Sequence, residues 1–285
     1  MKISLLSDAP HHNLALMKIS AYHKAECDEV MLNAPIFPAD YTYASILYER
    51  NKNEFVADEY GGPVFSGSVL PDYINEMKPD YDLYGYNFSL GYTFRPCFNT
   101  CDFCYVPKMV HPDVEHHSIW EFHNSEFKNI LLLNNNTFQD PRWKETFEEI
   151  WDADLTVEDA NGYDLRLLDE EKAEALKKTK WLKWCFFAWD RIQDDALMIR
   201  GLKIARKYKL RTRIYVLCGY DTTLEEDFYR CEKIIKYKFD PYIMPYLGKT
   251  KASKRARAFK RFMDTFSWRK YKTIAEGWNN YRYKI

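Results

Sequence analysis

The chain has 285 residues, of which 46% are hydrophobic, 17% aromatic and 29% charged, with a formal net charge of −1. That composition supplies a packed core and excludes a disordered chain, and ten glycines exclude a collagen-like repeat. No stretch approaches the roughly 20 apolar residues of a membrane-spanning helix, and MKISLLSDAP meets Asp8 too early for a secretion signal, so the expectation is a cytoplasmic protein with no membrane partner.

Residues 2–6 predict a strand that ends at Ser7-Asp8. Asn13 is placed to cap a helix whose apolar positions Leu14, Met17, Ala21 and Ala25 keep helical spacing. Val30-Met31-Leu32 reads as a second strand, and turn chemistry at Gly61-Gly62-Pro63 continues the pattern to about residue 84. Residues 1–85 are therefore expected to form a small Rossmann-like α/β segment. The stripe Tyr73, Tyr81, Tyr84 and Tyr86 is expected to pack its junction with the chain that follows.

From residue 86 the alternation is regular. Strands are expected at 87–94, 129–133, near 154–158, 183–189, 213–218 and 242–246, with helices around 141–151, 169–179, 197–209 and 224–237. Six strands joined by helices predict parallel pairing, with all C-terminal strand ends on one face. Such a sheet curls into a complete or partial barrel with its chemistry at those ends. The expected fold is α/β: a partial (β/α)6 barrel over 86–248, followed by a helical extension over 249–285.

Charge is uneven. Residues 249–285 hold 12 Lys/Arg against Asp264 and Glu276, a net +10, which leaves −11 for the rest. A basic, aromatic-laced tail can meet nucleic acid or another acidic partner. It can equally lay long side chains over an acidic body.

Seven cysteines, an odd number with no export signal, read as thiols or metal ligands rather than a disulfide framework. Three of them, Cys97, Cys101 and Cys104, fall within RPCFNTCDFCYVPK (95–108), directly after the first barrel strand. Thiolates are soft donors, and three within eight residues can wrap one metal centre. Iron–sulfur clusters usually take four protein thiolates; three would leave one iron of a 4Fe-4S cluster open for a ligand. Zinc is the alternative, with His111, His116 or His117 as a fourth ligand, although the three-then-two spacing is not a common zinc pattern. Cys27, Cys185, Cys218 and Cys231 read as small buried residues. Cys218, at a strand end, is the one expected to face a cavity.

The spacing of Cys97, Cys101 and Cys104, with the aromatic Phe103 just before the last cysteine, resembles the radical S-adenosylmethionine superfamily. The strand series over 86–247 is similar to that superfamily's partial six-stranded barrel. Residues 13–30 are similar to the cobalamin-binding-like domains that precede many of its members. The resemblance implies that the open iron chelates S-adenosylmethionine and that one electron cleaves it to methionine and a 5′-deoxyadenosyl radical. That radical takes a hydrogen atom from a small-molecule or macromolecular substrate. It also implies an electron donor such as flavodoxin or ferredoxin.

Site residues follow by the same resemblance. Asn134-Asn135-Asn136 stand where the family has a glycine-rich stretch ending in glutamate that binds the methionine amino group; side-chain carbonyls can accept from an ammonium, and a plain turn is the alternative. Asn161 matches the polar residue that reaches the cofactor ribose or carboxylate. Asp190 and Arg191 match groups on the ribose and methionine carboxylate; Arg191 can equally be a surface residue. Gly219 would let the backbone approach adenine or is a turn glycine. Met244 and Tyr246 would wall the adenine or pack the core. The cobalt-ligating histidine motif is absent from Ser7-Asp8-Ala9-Pro10-His11-His12. Residues 1–85 therefore read as vestigial or substrate-contacting before they read as a cobalamin binder. The competing functions are a cobalamin-dependent radical methyltransferase and, in another class, a zinc- or cluster-bearing nucleic-acid-binding protein.

Overall fold

The computed structural model describes residues 1–9, 11–65, 67–109, 114–246 and 251–282. The expected border at 248/249 and the candidate ligand His111 lie outside them. The described chain is α/β with parallel sheets, and it divides into two compact units, residues 1–135 with 148–157 and residues 136–147 with 158–285. Among the described residues no helix is long and apolar enough to cross a membrane.

The first unit begins with β1 (Lys2–Ser7), α1 (Leu14–Ala25), β2 (Glu29–Leu32), β3 (Tyr41–Ser45), β4 (Glu59–Gly61) and the short α2 (Asp72–Asn75). Its first sheet has the order β2-β1-β3-β4 with every neighbouring pair parallel. As expected, Asn13 caps α1: its Oδ1 accepts from the Leu16 amide at 3.2 Å. The strands β3 and β4 were not foreseen individually; each is short and polar-edged.

Helix α1 is apolar on two sides because it is buried on two sides. Leu16 and Ile19 pack with Ile3, Leu5 and Ile74. Met17 packs instead with Tyr81, Leu90, Leu131 and Leu133. Two of those leucines belong to β5 (Ser89–Gly91) and β6 (Asn129–Leu132), which pair in parallel with Leu90 opposite Leu131. Tyr84 and Tyr86 flank the same core, whereas Tyr73 stands apart and is 58% exposed.

β5 is shorter than the expected 87–94 because the chain leaves the ladder at Tyr92 to enter the cysteine loop. Helix α3 (Trp143–Asp152) and strand β7 (Thr156–Asp159) follow β6, and both cross from one unit to the other. The order of this sheet is β5-β6-β7, with the two-residue β9 (Lys180–Trp181) as its last strand.

The second unit holds β8 (Tyr163–Asp164), α4 (Glu170–Lys178), β10 (Cys185–Ala188), α5 (Asp195–Lys207), β11 (Thr212–Cys218), α6 (Leu224–Lys236), β12 (Asp240–Pro245), α7 (Lys251–Asp264) and α8 (Ile274–Asn279). Its sheet has the order β8-β10-β11-β12, all parallel. Strict alternation along β11 buries Thr212, Ile214, Val216 and Cys218 and leaves Arg213, Tyr215 and Leu217 half-exposed.

The single series of six strands is thus divided between two sheets, and the described strands form no closed barrel. The division falls in the third strand, where a turn at 160–162 separates β7 from β8. The Asp159 carboxylate holds that turn, accepting from the amides of Asn161 at 3.0 Å and Gly162 at 2.8 Å. Gly162 has φ +75°, and a Cβ there would meet the Phe186 carbonyl oxygen at 2.9 Å, so only glycine fits both the backbone and the neighbouring strand.

Candidate metal centre and strand-end residues

The cysteine loop leaves the C-terminal end of β5. Asn134, immediately after Leu133 and fully buried, ties down its root. Its Oδ1 accepts from the Thr93 and Phe94 amides at 2.8 and 3.2 Å, and its Nδ2 donates to Thr93 Oγ1 at 2.9 Å. Asn135 Nδ2 donates to the Arg95 carbonyl at 2.5 Å. These two asparagines therefore do work the sequence reading did not anticipate. They fix the backbone from which Arg95-Pro96-Cys97 departs, which is more than a plain turn.

Beyond Arg95 the loop has no ladder. One turn is closed by the Cys104 amide on the Cys101 carbonyl at 3.0 Å, and Tyr105 donates from its hydroxyl to the Pro63 carbonyl at 2.6 Å. Cys97, Cys101, Phe103 and Cys104 are all half-buried. No disulfide involves any of the seven cysteines.

Among the described residues no group of three or more His, Cys, Asp or Glu side chains is gathered as a metal site. The donor chemistry nonetheless suits an iron–sulfur cluster: three soft thiols, reachable from solvent, on eight residues whose backbone no sheet restrains. Of the fourth-ligand candidates for zinc, His117 is oriented by Glu121, whose Oε2 lies 2.8 Å from its Nδ1, and its amide donates to the Thr93 carbonyl at 2.8 Å.

In the second unit the remaining predicted residues lie at strand ends. Asn136 is 4% exposed; its Nδ2 donates to Asp164 Oδ2 at 3.3 Å, while its Oδ1 is buried without a hydrogen bond. Asp164, ending β8, receives the Arg166 guanidinium as a fork at 2.8 and 2.7 Å, and Arg166 reaches Asp194 at 3.2 Å. Asp190 follows β10 and accepts from the Leu217 amide at 3.3 Å. Burial pushes its carboxyl up to about 6, against the pull of Arg230 and Arg166. Asn136 and Asp190 are thus brought to one polar cluster, whose other members Asp164, Arg166 and Asp194 the sequence reading missed. An Asp and an Arg two positions apart at a strand end was the available signal.

Arg191 is half-exposed. Asn161 is exposed and held through its amide by Asp159. Gly219 has φ +81°, and a Cβ there would meet the Ala256 Cβ at 2.7 Å and the Ala252 carbonyl oxygen at 2.9 Å. The close approach it permits is therefore to α7. Met244 is 43% exposed, and Tyr246 makes a T-shaped pair with Tyr220 at 4.9 Å, so neither is core.

Two cysteine expectations are corrected. Cys218 is fully buried on the covered face of β11, because the alternation that exposes Leu217 turns its neighbour inward; burial pushes its thiol up. Cys27 is exposed, in the left-handed backbone just past α1 with φ 63°.

Arg230 on α6 was also missed. It is fully buried and donates to the carbonyls of Trp189 at 2.8 Å, Asp190 at 2.9 Å and Leu217 at 2.7 Å, and to Asp227 Oδ1 at 2.5 Å. One guanidinium therefore clamps the ends of β10 and β11. No known family model matches the chain, and no curated protein is significantly similar to it.

Proposed function

We propose that the protein is a radical S-adenosylmethionine enzyme. The observation that carries this reading is the loop of Cys97, Cys101 and Cys104, which leaves the C-terminal end of a parallel strand in an α/β chain. The strand order supports it. With the two-residue β9 set aside, β5-β6-β7 and β8-β10-β11-β12 follow chain order, and only three residues part β7 from β8. Within each sheet, strands taken in chain order are what consecutive β/α units give.

On this reading Cys97, Cys101 and Cys104 would hold a 4Fe-4S cluster, and Asn134 and Asn135 would position their loop. A bound cluster would supply the electron for reductive cleavage of S-adenosylmethionine. The chain's own task is to hold that cofactor and exclude water. Asn136 offers a buried carbonyl oxygen to an ammonium, Arg191 a guanidinium to a carboxylate, and Asp190 hydrogen-bonding oxygens to ribose hydroxyls. Phe103 is half-buried within the cysteine loop. Helix α1 of the N-terminal segment shares a core with β5 and β6 through Met17, which favours a role as a wall of the enzyme over that of a separate cobalamin module.

The test is anaerobic reconstitution with iron and sulfide, then dithionite and S-adenosylmethionine, with chromatography for 5′-deoxyadenosine. The expected result is 5′-deoxyadenosine from the wild type and only background from Cys101→Ala. Stoichiometric zinc with no cluster absorbance would overturn the reading.

A further inference from the structure

We infer that Asp164 is a positioning residue: held by Arg166, it fixes the Asn136 amide so that the carbonyl, and not the NH2 group, is kept for a ligand. It thereby makes the site selective for a primary ammonium. The inference rests on the function proposed above, because it gives Asp164 and Arg166 control of that site's preference for the amino group of S-adenosylmethionine.

The three successive asparagines use their amides differently. Asn134 engages both ends of its amide at the root of the cysteine loop, and Asn135 donates to the Arg95 carbonyl. Asn136 precedes the short turn Thr137–Gln139, where an asparagine ordinarily brings its Oδ1 onto an amide two or three residues on. It makes no such bond. The residue is 4% exposed, and its Oδ1 is buried without a hydrogen bond. A buried carbonyl left unpaired is unfavourable, so local structure does not account for this orientation.

Asp164 accounts for it. Asn136 Nδ2 donates to Asp164 Oδ2 at 3.3 Å. Arg166 reaches both oxygens of that carboxylate, at 2.8 and 2.7 Å, and such a fork keeps it ionised. An ionised carboxylate only accepts. Turning the amide over would set two oxygens against each other, so Nδ2 is held toward Asp164 and Oδ1 away from it. Arg166 is itself anchored on its other side by Asp194 at 3.2 Å.

The orphaned carbonyl therefore calls for a donor, and local charge selects which donor. Asp164 and Asp194 share one guanidinium. Asp190 is close enough for its carboxyl to respond to Arg166 and Asp164. Arg230, which also acts on Asp190, is paired with Asp227. Carboxylates in excess favour a cation over a neutral hydroxyl at this position.

The test compares two ligands on the reconstituted, unreduced protein, where binding is read by ultrafiltration and no cleavage occurs. One ligand is S-adenosylmethionine; the other is its deamino analogue, with hydrogen in place of the α-amino group. The wild type should prefer the amine-bearing ligand. In Asp164→Asn the substituted side chain can donate, so the Asn136 amide can turn over, and the preference should fall by about tenfold, the worth of one hydrogen bond to a charged group. Asn136→Leu should lower it by at least as much. Asp164→Asn/Asn136→Leu should match Asn136→Leu alone, because Asp164 acts only through Asn136. Each ratio is internal to one variant, so a partly unfolded sample changes the number of sites and not the preference.

Equal weakening of both ligands in Asp164→Asn would make Asp164 a structural residue only and overturn the inference. A further fall in the double variant would also overturn it, since Asp164 would then act on the ligand directly. Either result leaves the proposed function standing. A wild type that forms no cluster or binds no S-adenosylmethionine would overturn both.

Discussion

Asp159 stabilises the turn between β7 and β8 at an electrostatic cost. It is 4% exposed; Oδ1 accepts two amides, while Oδ2 and the neighbouring Tyr163 hydroxyl are buried with no hydrogen bond closed. Burial pushes its carboxyl up to about 6, and the amides of Gly162 and Asn161 only partly oppose that. Between about 4 and about 6 the folded chain therefore binds a proton that the unfolded chain does not. This contribution to stability is intact at low pH and is lost as the pH rises through about 6. Asp159→Asn keeps an acceptor for both amides and removes the charge. It should match the wild type near pH 4 and exceed it at pH 8 by on the order of 1–3 kcal/mol. Urea unfolding at pH 4, 6 and 8 decides it; an advantage that grows toward low pH would contradict the burial argument.

At the scale of elements, Arg230 shows how α6 fastens two strands. Three carbonyls at the ends of β10 and β11 and the Asp227 carboxylate converge on one guanidinium. Arg230→Leu leaves Asp227, itself 2% exposed, as an unpaired buried charge. The expected cost is about 3–5 kcal/mol. Arg230→Lys should recover part of it, since an ammonium keeps the charge but cannot fork to strand ends on both sides. Asp227→Asn/Arg230→Leu should also lie above the single leucine variant. Guanidinium unfolding midpoints would check that order.

The same elements show what the sequence could tell. The alternation of β11 and the Asn13 cap were legible because each is local, set by side chains within a few residues. The cysteine spacing was legible for the same reason. The Asp227–Arg230 pair was half-legible: charges at i and i+3 beside Cys231 and Ile234, on what is otherwise an apolar face. The split of the third strand was not, since it depends on Gly162 meeting the Phe186 carbonyl, and that neighbour is set by tertiary packing. Nor were the roles of Asn134 and Asn135, which look like turn residues until the loop they hold is seen about forty positions earlier.

At the scale of the whole molecule, the first compact unit runs across residue 85 without a break. The sequence suggests a border there because a Rossmann-like pattern gives way to a regular strand–helix alternation. In the structure the two patterns share side chains. The Tyr81 hydroxyl accepts from the Leu90 amide at 3.2 Å and donates to the Phe122 carbonyl at 2.5 Å. Met17 of α1 lies fully buried among Tyr81, Leu90, Leu131 and Leu133. A chain beginning at residue 86 would therefore uncover Leu90 of β5, Leu131 of β6 and Leu133 just after it, each worth about 1.5–3 kcal/mol when buried, and would strand the Leu90 amide. Such a fragment should bind a hydrophobic dye strongly and lack a cooperative thermal transition. Within the full chain, Met17→Ala should cost about 2–4 kcal/mol through the cavity it leaves, a loss that does not depend on where the chain is cut. If the fragment melted cooperatively at the full chain's temperature and Met17→Ala were neutral, the shared core would contribute nothing. Residues 1–85 would then be a separable domain, and their part in the protein would have to be sought in a ligand of their own.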